Sequence, residues 1–372
     1  MLRTRILATL AITLVALAGP LRADEPVKPA NIDLVICLDV SSSMNGLINS
    51  AKSRLWDIVN ELAKAQPTPN LRIALYSYGH SSYDRNLGWV KKELDFTADL
   101  DQANGKLFAL TSRGGTEYVA RVCNYALDEL NWTKDPKALK LIFVCGNEPA
   151  NQDKQIALKD VAAKAVARGV IINTIFCGPE GHRDAPGWRE FAMMAEGRYA
   201  SINQNKAVVA APAPQDKRIA ELGVKLADTY LFVGRDRKAL EDNQKKQDSN
   251  AAQQGGDVAA ARAVAKANGI YRFQEDLVER AQKNEKLELE KIADADLPDS
   301  LKKLAAAERE KHVKDMAQQR GALQKQILEL NREREQFLRD NAQKAPAAQG
   351  LDDALNSTIR EQATKKGIKL EK

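Results

Sequence analysis

One short stretch of the sequence carries oxygen-bearing side chains at two-residue steps. Asp39, Ser41 and Ser43 directly follow residues 32–38, an almost wholly apolar segment that is typical of a strand buried on both faces. A carboxylate followed by two hydroxyls projects oxygen ligands from one turn, and hard cations such as Mg²⁺ bind such ligands while keeping waters in their shell. Ligands of a doubly wound sheet bind beyond the carboxyl ends of its strands. The stretch therefore predicts a divalent-cation site, where the alternative is a structural turn.

The segments around this stretch predict the sheet that would position it. Residues 32–202 alternate between short apolar segments and amphipathic ones, which is typical of an α/β sheet with helices on both faces. Residues 47–63 have apolar side chains at helical spacing. Turn residues rather than a helix join 71–78 to 89–94, so these two strands should pair antiparallel at one edge. We predict a doubly wound, mostly parallel, Rossmann-like sheet with one antiparallel edge strand, followed by a helical C-terminal region.

The stretch and a second motif resemble a known family. DVSSS at residues 39–43 resembles the metal-ion-dependent adhesion site (MIDAS) of von Willebrand factor type A domains. GGT at residues 114–116 should open the helix after the third strand, where that family supplies a threonine ligand. The chain is also similar to a subset of exported bacterial proteins with this domain. The resemblance implies that Thr116 joins the residues named above in binding a divalent cation, with Mg²⁺ expected first and Mn²⁺ or Ca²⁺ as alternatives.

The segment after the fourth strand departs from that family. The family has Thr-Asp-Gly there, and its aspartate ligates the ion directly or through water, whereas residues 145–149 read CGNEP. Asn147 offers an amide oxygen and Glu148 offers a carboxylate one residue later, and the sequence does not choose between them. A cation with so few formal charges around it stays electrophilic. The resemblance thus implies that a protein partner presents an Asp or Glu carboxylate as the last ligand.

The N-terminus predicts export. Residues 1–23 resemble a secretory signal peptide, because Arg3 and Arg5 precede an apolar run at 6–19. That run is shorter than the roughly 20 residues that a membrane-spanning helix needs. We expect a periplasmic or extracellular protein with no membrane span after cleavage. Losing Arg3, Arg5 and Arg22 would lower the formal net charge from +6 to +3, and this balance gives no argument for a nucleic-acid partner.

The composition changes beyond the predicted domain, residues 31–232. Residues 233–257 are predicted to be a linker, since much of the segment is Gln, Asn, Lys and Gly. Residues 258–342 contain two long helical stretches split by Pro298, which predicts a helical hairpin or a short coiled coil. Residues 343–372 resemble a disordered tail.

An apolar seam at three- and four-residue steps runs along the second helical stretch. Arg320 and Arg334 fall on the same seam. A short heptad seam with two like charges is more often one side of a hairpin than part of a stable oligomer. Self-association through these helices stays the alternative.

Other motifs give no catalytic prediction. The three histidines form no helical pair of metal ligands, and the sequence has neither a phosphate-binding loop nor a nucleophile elbow. We therefore predict a metal-dependent protein-binding module of the bacterial cell envelope, not an enzyme. The alternative is a periplasmic scaffold that acts through its C-terminal helices and retains a vestigial metal site.

Overall fold

The computed structural model describes residues 28–202, 212–342 and 351–371, so the predicted signal peptide lies outside the described residues. The strands of these ranges are β1 (Asn31–Asp39), β2 (Asn70–Tyr78), β3 (Val90–Thr97), β4 (Leu139–Gly146), β5 (Ile171–Phe176) and β6 (Tyr199–Ser201). They form one sheet in the order β3-β2-β1-β4-β5-β6. β3 pairs antiparallel with β2 and the other neighbours pair parallel. The predicted fold, with one antiparallel edge strand, is confirmed.

Helices cover both faces of this sheet and continue beyond it. Those of the described ranges are α1 (Asn45–Ala63), α2 (Leu100–Ala109), α3 (Val119–Glu129), α4 (Leu158–Ala167), α5 (Ala185–Met194), α6 (Asp216–Ala227), α7 (Arg237–Gln254), α8 (Gly256–Ala267), α9 (Leu277–Gln282), α10 (Asp299–Lys302), α11 (Ala306–Ala342) and α12 (Leu351–Lys365). Within those ranges, no helix is both long enough and apolar enough to cross a membrane.

β1 lies inside the sheet and is apolar on both faces for that reason. Leu34 and Leu38 belong to the core under α1, α2 and α6, whereas Val35 and Cys37 belong to the core under α3, α4 and α5. β1 pairs with β2 on one side and with β4 on the other. The strand order therefore reverses between β1 and β4, and the carboxyl ends of these two strands border the crevice where doubly wound sheets bind ligands.

The prediction of a linker at residues 233–257 is wrong, because α7 occupies most of that segment. α7 is largely polar and buries few residues, among them Gln244 and Gln247. The Asn104 side-chain amide in α2 donates to Gln247 Oε1 at 2.9 Å. A helix held through polar contacts lacks the apolar stripe that sequence patterns detect.

The predicted hairpin at residues 258–342 is also wrong, because only α11 is a long helix in this segment. Its seam packs against α6, α8 and α9 of the same chain. Arg320 is buried there against Asp276 and Thr229, and Arg334 is buried against Asp216. The two like charges on the seam thus find acidic partners inside the chain.

The predicted disordered tail is wrong for residues 351–371, where α12 packs on α1. Ile359 and Ala363 are fully buried. Gln362 exchanges side-chain hydrogen bonds of 3.0 and 2.7 Å with Asn173 of β5. Apolar residues at four-residue spacing form the buried stripe of this otherwise polar helix.

Candidate metal site at the carboxyl edge of the sheet

The loops that follow β1 and β2 meet the loop before α3 at the carboxyl edge of the sheet. The loop after β1 passes through a short 3-10 helix, Ser42–Met44, before α1 begins. The Arg113 backbone N–H donates to the Val40 carbonyl at 3.0 Å, and the Ser81 N–H donates to the Arg113 carbonyl at 3.3 Å. These bonds bring residues from distant parts of the sequence to one surface.

Asp39, the last residue of β1, is fully buried. Its Oδ1 accepts a hydrogen bond from the Ser41 backbone N–H at 2.8 Å, whereas no donor among the described residues reaches Oδ2. Burial raises the pKa of this carboxyl to about 7, and the charges of Glu117 and Glu148 contribute to the rise. A buried carboxylate oxygen without a partner lowers the stability of the fold unless its charge is compensated. Of the carboxyls at this edge, Asp39 is the most buried, and a proton or a cation would compensate its charge.

Two glycines allow the backbone to approach this carboxylate. A Cβ atom on Gly146, at the end of β4, would lie 2.6 Å from the Tyr78 hydroxyl and 3.1 Å from Asp39 Oδ2. Gly79 follows β2 with a φ of +81°, in the left-handed region that favours glycine. A Cβ atom on Gly79 would lie 3.0 Å from Asp39 Oδ1. A larger residue at either position would press on Asp39.

The structure brings Ser41, Ser43 and Asn147 together. The two serine hydroxyl oxygens lie 3.4 Å apart. Asn147 Nδ2 lies 3.1 Å from Ser43 Oγ, and Asn147 Oδ1 lies 3.5 Å from the same atom. Glu148 has an exposed side chain, and its carbonyl accepts a hydrogen bond from Trp188 Nε1 at 2.8 Å. Of the two residues that the sequence left open, Asn147 is the one that contacts the serine pair.

Thr116 lies in the loop before α3 and is half-buried. The expectation that residues 114–116 open the helix is wrong, because α3 begins at Val119. A Cβ atom on Gly115 would lie 2.4 Å from the Gly79 carbonyl oxygen. This close approach holds the segment against the loop after β2, and the helix starts only beyond it.

Glu117 lies at this edge although the motifs did not single it out. A Cβ atom on Gly79 would lie 3.1 Å from Glu117 Cγ, and Glu117 Oε2 lies 3.5 Å from Gln152 Nε2. Burial and the nearby charge of Glu148 raise the pKa of Glu117. The Gln152 amide and the Ser41 hydroxyl offset part of this rise in the pKa of Glu117. The only signal in the sequence is the place of Glu117 in the loop before α3.

Three carboxyl groups lie at this edge, those of Asp39, Glu117 and Glu148. None of the ion pairs formed within residues 28–202, 212–342 and 351–371 includes Asp39, Glu117 or Glu148. In the same ranges, no group of three or more His, Cys, Asp or Glu side chains is arranged to hold a metal ion. The candidate site therefore depends on one carboxylate together with hydroxyl and amide oxygens. Such a donor set suits a hard cation that keeps part of its water shell.

Sequence comparison finds a match for the sheet domain. Residues 33–208 match the family model of the von Willebrand factor type A domain. A comparison with curated proteins finds no match.

Solved structures with similar chains come from several organisms. One is proximal thread matrix protein 1 of the mussel byssus with a zinc-occupied MIDAS motif, at 16% identity over 48% of this chain and 43% of that chain, with a TM-score of 0.39. Another is an aerotolerance-related membrane protein of Bacteroides fragilis, at 17% identity over 47% of this chain and 94% of that chain, with a TM-score of 0.33. A third is the pilus adhesin SpaC of Lactobacillus rhamnosus GG, at 14% identity over 49% of this chain and 29% of that chain, with a TM-score of 0.36. The matched region spans less than half of the mussel protein and of the adhesin.

Proposed function

We propose that the chain, whose residues 33–208 match the family model of the von Willebrand factor type A domain, binds a divalent cation and presents it to an acidic side chain of a protein partner. Domains of this family are protein-interaction modules, so we infer a binding role rather than an enzymatic one. The residues that would hold the ion are Asp39, Ser41, Ser43, Thr116 and Asn147. We expect Mg²⁺ first, with Mn²⁺ or Ca²⁺ as alternatives.

The observation that carries this proposal is the state of Asp39. Its Oδ2 is buried at the point where the strand order reverses, and no described residue donates to it. Asp39 Oδ1 is already held by the Ser41 backbone N–H, which orients the carboxylate. Gly146 keeps the space beside Oδ2 free of a side chain. A carboxylate oriented on one side and unsatisfied on the other fits a cation ligand.

The residues of this chain would leave part of the ion's coordination open. A bound divalent cation supplies a Lewis acid that takes up a carboxylate oxygen from outside. Hydroxyl and amide oxygens carry no formal charge, so Ser41, Ser43 and Asn147 hold the ion without neutralising it. An acidic residue of a partner would then be favoured as the remaining ligand.

We also propose that the protein acts in the cell envelope, as a periplasmic or extracellular component. The support is the signal-peptide pattern, in which Arg3 and Arg5 precede the apolar run at 6–19.

Calorimetric titration of the full-length chain with MgCl₂, MnCl₂ and CaCl₂ tests the metal site. We expect one site per chain in the wild type and none in Asp39→Ala, because that substitution removes the charged ligand. Ser42→Ala is the matched control, since Ser42 lies in the same turn and has an exposed side chain outside the donor set. A wild-type chain that binds none of the three ions overturns the proposal.

Retention of envelope proteins on the immobilised chain tests the acidic partner. Retention should require Mg²⁺, disappear in EDTA and disappear with Asp39→Ala. Amidation of the carboxylates in the envelope fraction should abolish it as well. Retention that survives amidation would contradict an acidic ligand.

The scaffold alternative predicts retention that survives both EDTA and Asp39→Ala. It would use the apolar seam of α11, which packs against α6, α8 and α9 of the same chain. The surface available to a partner on that seam is correspondingly small.

A further inference from the structure

Glu117 is part of the loop before α3 and lies beside two of the proposed cation ligands, Asp39 and Ser41. A Cβ atom on Gly79 would lie 3.1 Å from Glu117 Cγ, 3.0 Å from Asp39 Oδ1 and 3.6 Å from Ser41 Cβ, so these three side chains border one position. The Ser41 hydroxyl offsets part of the rise in the pKa of both carboxyls. Gln152 Nε2 approaches Glu117 Oε2 from another direction, at 3.5 Å. The half-buried Glu117 side chain therefore lies beside Ser41, a proposed ligand.

The proposed site lacks a negative charge where a resembling domain would have one. Asn147, the residue after β4 that contacts Ser43, is an uncharged amide. Asp39 alone would then face a divalent cation with a single formal charge. The buried Oδ2 of Asp39, which no described donor reaches, is an independent sign that this acidic edge receives a ligand.

A serine that binds a cation through a lone pair keeps its hydroxyl hydrogen, and that hydrogen needs an acceptor. Groups that accept hydrogen bonds from metal ligands orient them and increase their basicity. Among the carboxylates at this edge, Glu148 is exposed and contacts Trp188 through its backbone. Asp39 is itself a proposed ligand of the cation, so it is not the expected acceptor of that hydrogen. Glu117 is the remaining carboxylate beside Ser41.

We propose that Glu117 is a positioning residue of the cation site, which accepts the hydroxyl hydrogen of Ser41 and supplies the second negative charge that Asn147, the residue in contact with Ser43, does not carry. This proposal rests on the proposed function, because it presupposes that a divalent cation binds beside Asp39. It differs from a purely structural role, in which Glu117 would only hold the loop before α3 in place.

Calorimetric Mg²⁺ titration of Glu117→Gln and Glu117→Asp in the full-length chain tests the proposal. Loss of a group that orients a metal ligand weakens binding by roughly 10–100-fold, and we expect this for Glu117→Gln. Glu117→Asp keeps the charge and should recover part of the affinity. The matched control is Glu148→Gln, which removes a neighbouring exposed carboxylate and should change the affinity little.

A second variant separates the charge from the loop structure. Adding Asn147→Asp to Glu117→Gln places a carboxylate after β4 and should restore much of the lost Mg²⁺ affinity. A merely structural role predicts no such rescue, together with a lower melting temperature of Glu117→Gln in EDTA. The proposal would be overturned if Asn147→Asp did not restore Mg²⁺ affinity and Glu117→Gln had a lower melting temperature in EDTA.

The outcomes distinguish this inference from the proposed function. If the wild type binds Mg²⁺ and Glu117→Gln binds it equally well, only the role of Glu117 is overturned. If the wild type binds no divalent cation, both proposals are overturned together.

Discussion

Two clusters of ionisable side chains in this chain differ in whether their charges have partners of opposite sign. The helix cluster joins α8 to α2 and α7 and consists of Arg262, Lys266, Asp101, Asp248 and Tyr271. Arg262 lies 2.6 Å from carboxylate oxygens of both Asp101 and Asp248. Lys266 Nζ lies 2.5 Å from Asp248 Oδ1, and the Tyr271 hydroxyl donates to Asp101 Oδ2 at 2.6 Å. Each charge in the helix cluster has a partner of opposite sign.

The edge cluster consists of Asp39, Glu117 and Glu148 at the carboxyl edge of the sheet. Its charges are all acidic, and none of the described residues forms an ion pair with them. Burying both signs together compensates the loss of hydration inside the fold. A buried carboxyl without a partner of opposite sign is neutralised by a proton or by a cation from outside the chain. The helix cluster is thus compensated within the chain, whereas Asp39, the buried carboxyl of the edge cluster, has no such partner among the described residues.

The largest effect should come from breaking the helix cluster. Asp101→Ala leaves Arg262 buried with one carboxylate fewer, and loss of one partner of a buried pair costs about 3–5 kcal/mol in the free energy of unfolding. Urea denaturation in EDTA measures this loss. Asp242→Ala, which removes a partner of the exposed Lys238, should cost less than about 1 kcal/mol. Equal losses in the free energy of unfolding of the two variants would contradict a structural role of the helix cluster.

Cation binding should stabilise the fold through the edge cluster only. At a Mg²⁺ concentration one hundred times the Kd, the free energy of unfolding should rise by about 2.7 kcal/mol in the wild type. The increment should vanish in Asp39→Ala and persist in Asp101→Ala, because only Asp39 is a proposed ligand. Urea denaturation with and without Mg²⁺ gives the increment. An unchanged increment in Asp39→Ala would remove the edge cluster from ion binding.

In the metal-free protein, the free energy of unfolding should depend on pH, and this change should be similar to or smaller than the increment from Mg²⁺ binding. The pKa of Asp39 is about 7 in the fold against an ordinary 3.8, so between these values the folded state holds more protons than the unfolded chain. The free energy of unfolding then falls as the pH rises, and the fall levels off above pH 7. Between pH 5.5 and pH 7 the loss is about 2 kcal/mol.

Asp39→Asn is the variant that isolates this contribution, because its side chain does not titrate. Urea denaturation across the same pH range in EDTA should give a flatter profile than the wild type. Parallel profiles would mean that Asp39 ionises in the fold at its ordinary pKa.

The smallest effect should come from an exposed pair in the helical region. Arg198, next to β6, pairs with Glu361 of α12 near the surface. Arg198→Ala should lower the free energy of unfolding by about 0.2–1 kcal/mol, because solvent screens such pairs. The melting temperature measures it, and a loss as large as that of Asp101→Ala would contradict the distinction between buried and exposed pairs.

The sheet was predictable because its signals are local. The apolar run of β1, the turn residues between β2 and β3, and the helical spacing in α1 each lie within a few residues of one another. The helical region was not predictable in the same way. α7 is polar and is held by contacts such as Asn104 to Gln247, which are 143 residues apart in the sequence. The acidic partners of Arg320 and Arg334 are likewise distant, so their seam suggested a hairpin.

The sequence by itself determined which oxygen-bearing side chains lie at the end of β1, because a carboxylate and two hydroxyls at two-residue steps after a buried strand form a local pattern. Only the tertiary structure decided which other groups join them. It places Asn147 rather than Glu148 against Ser43, from 104 residues away, and it places Glu117 beside Ser41. Such contacts depend on parallel strands that end at one edge and on loops that cross there, and no local pattern records either.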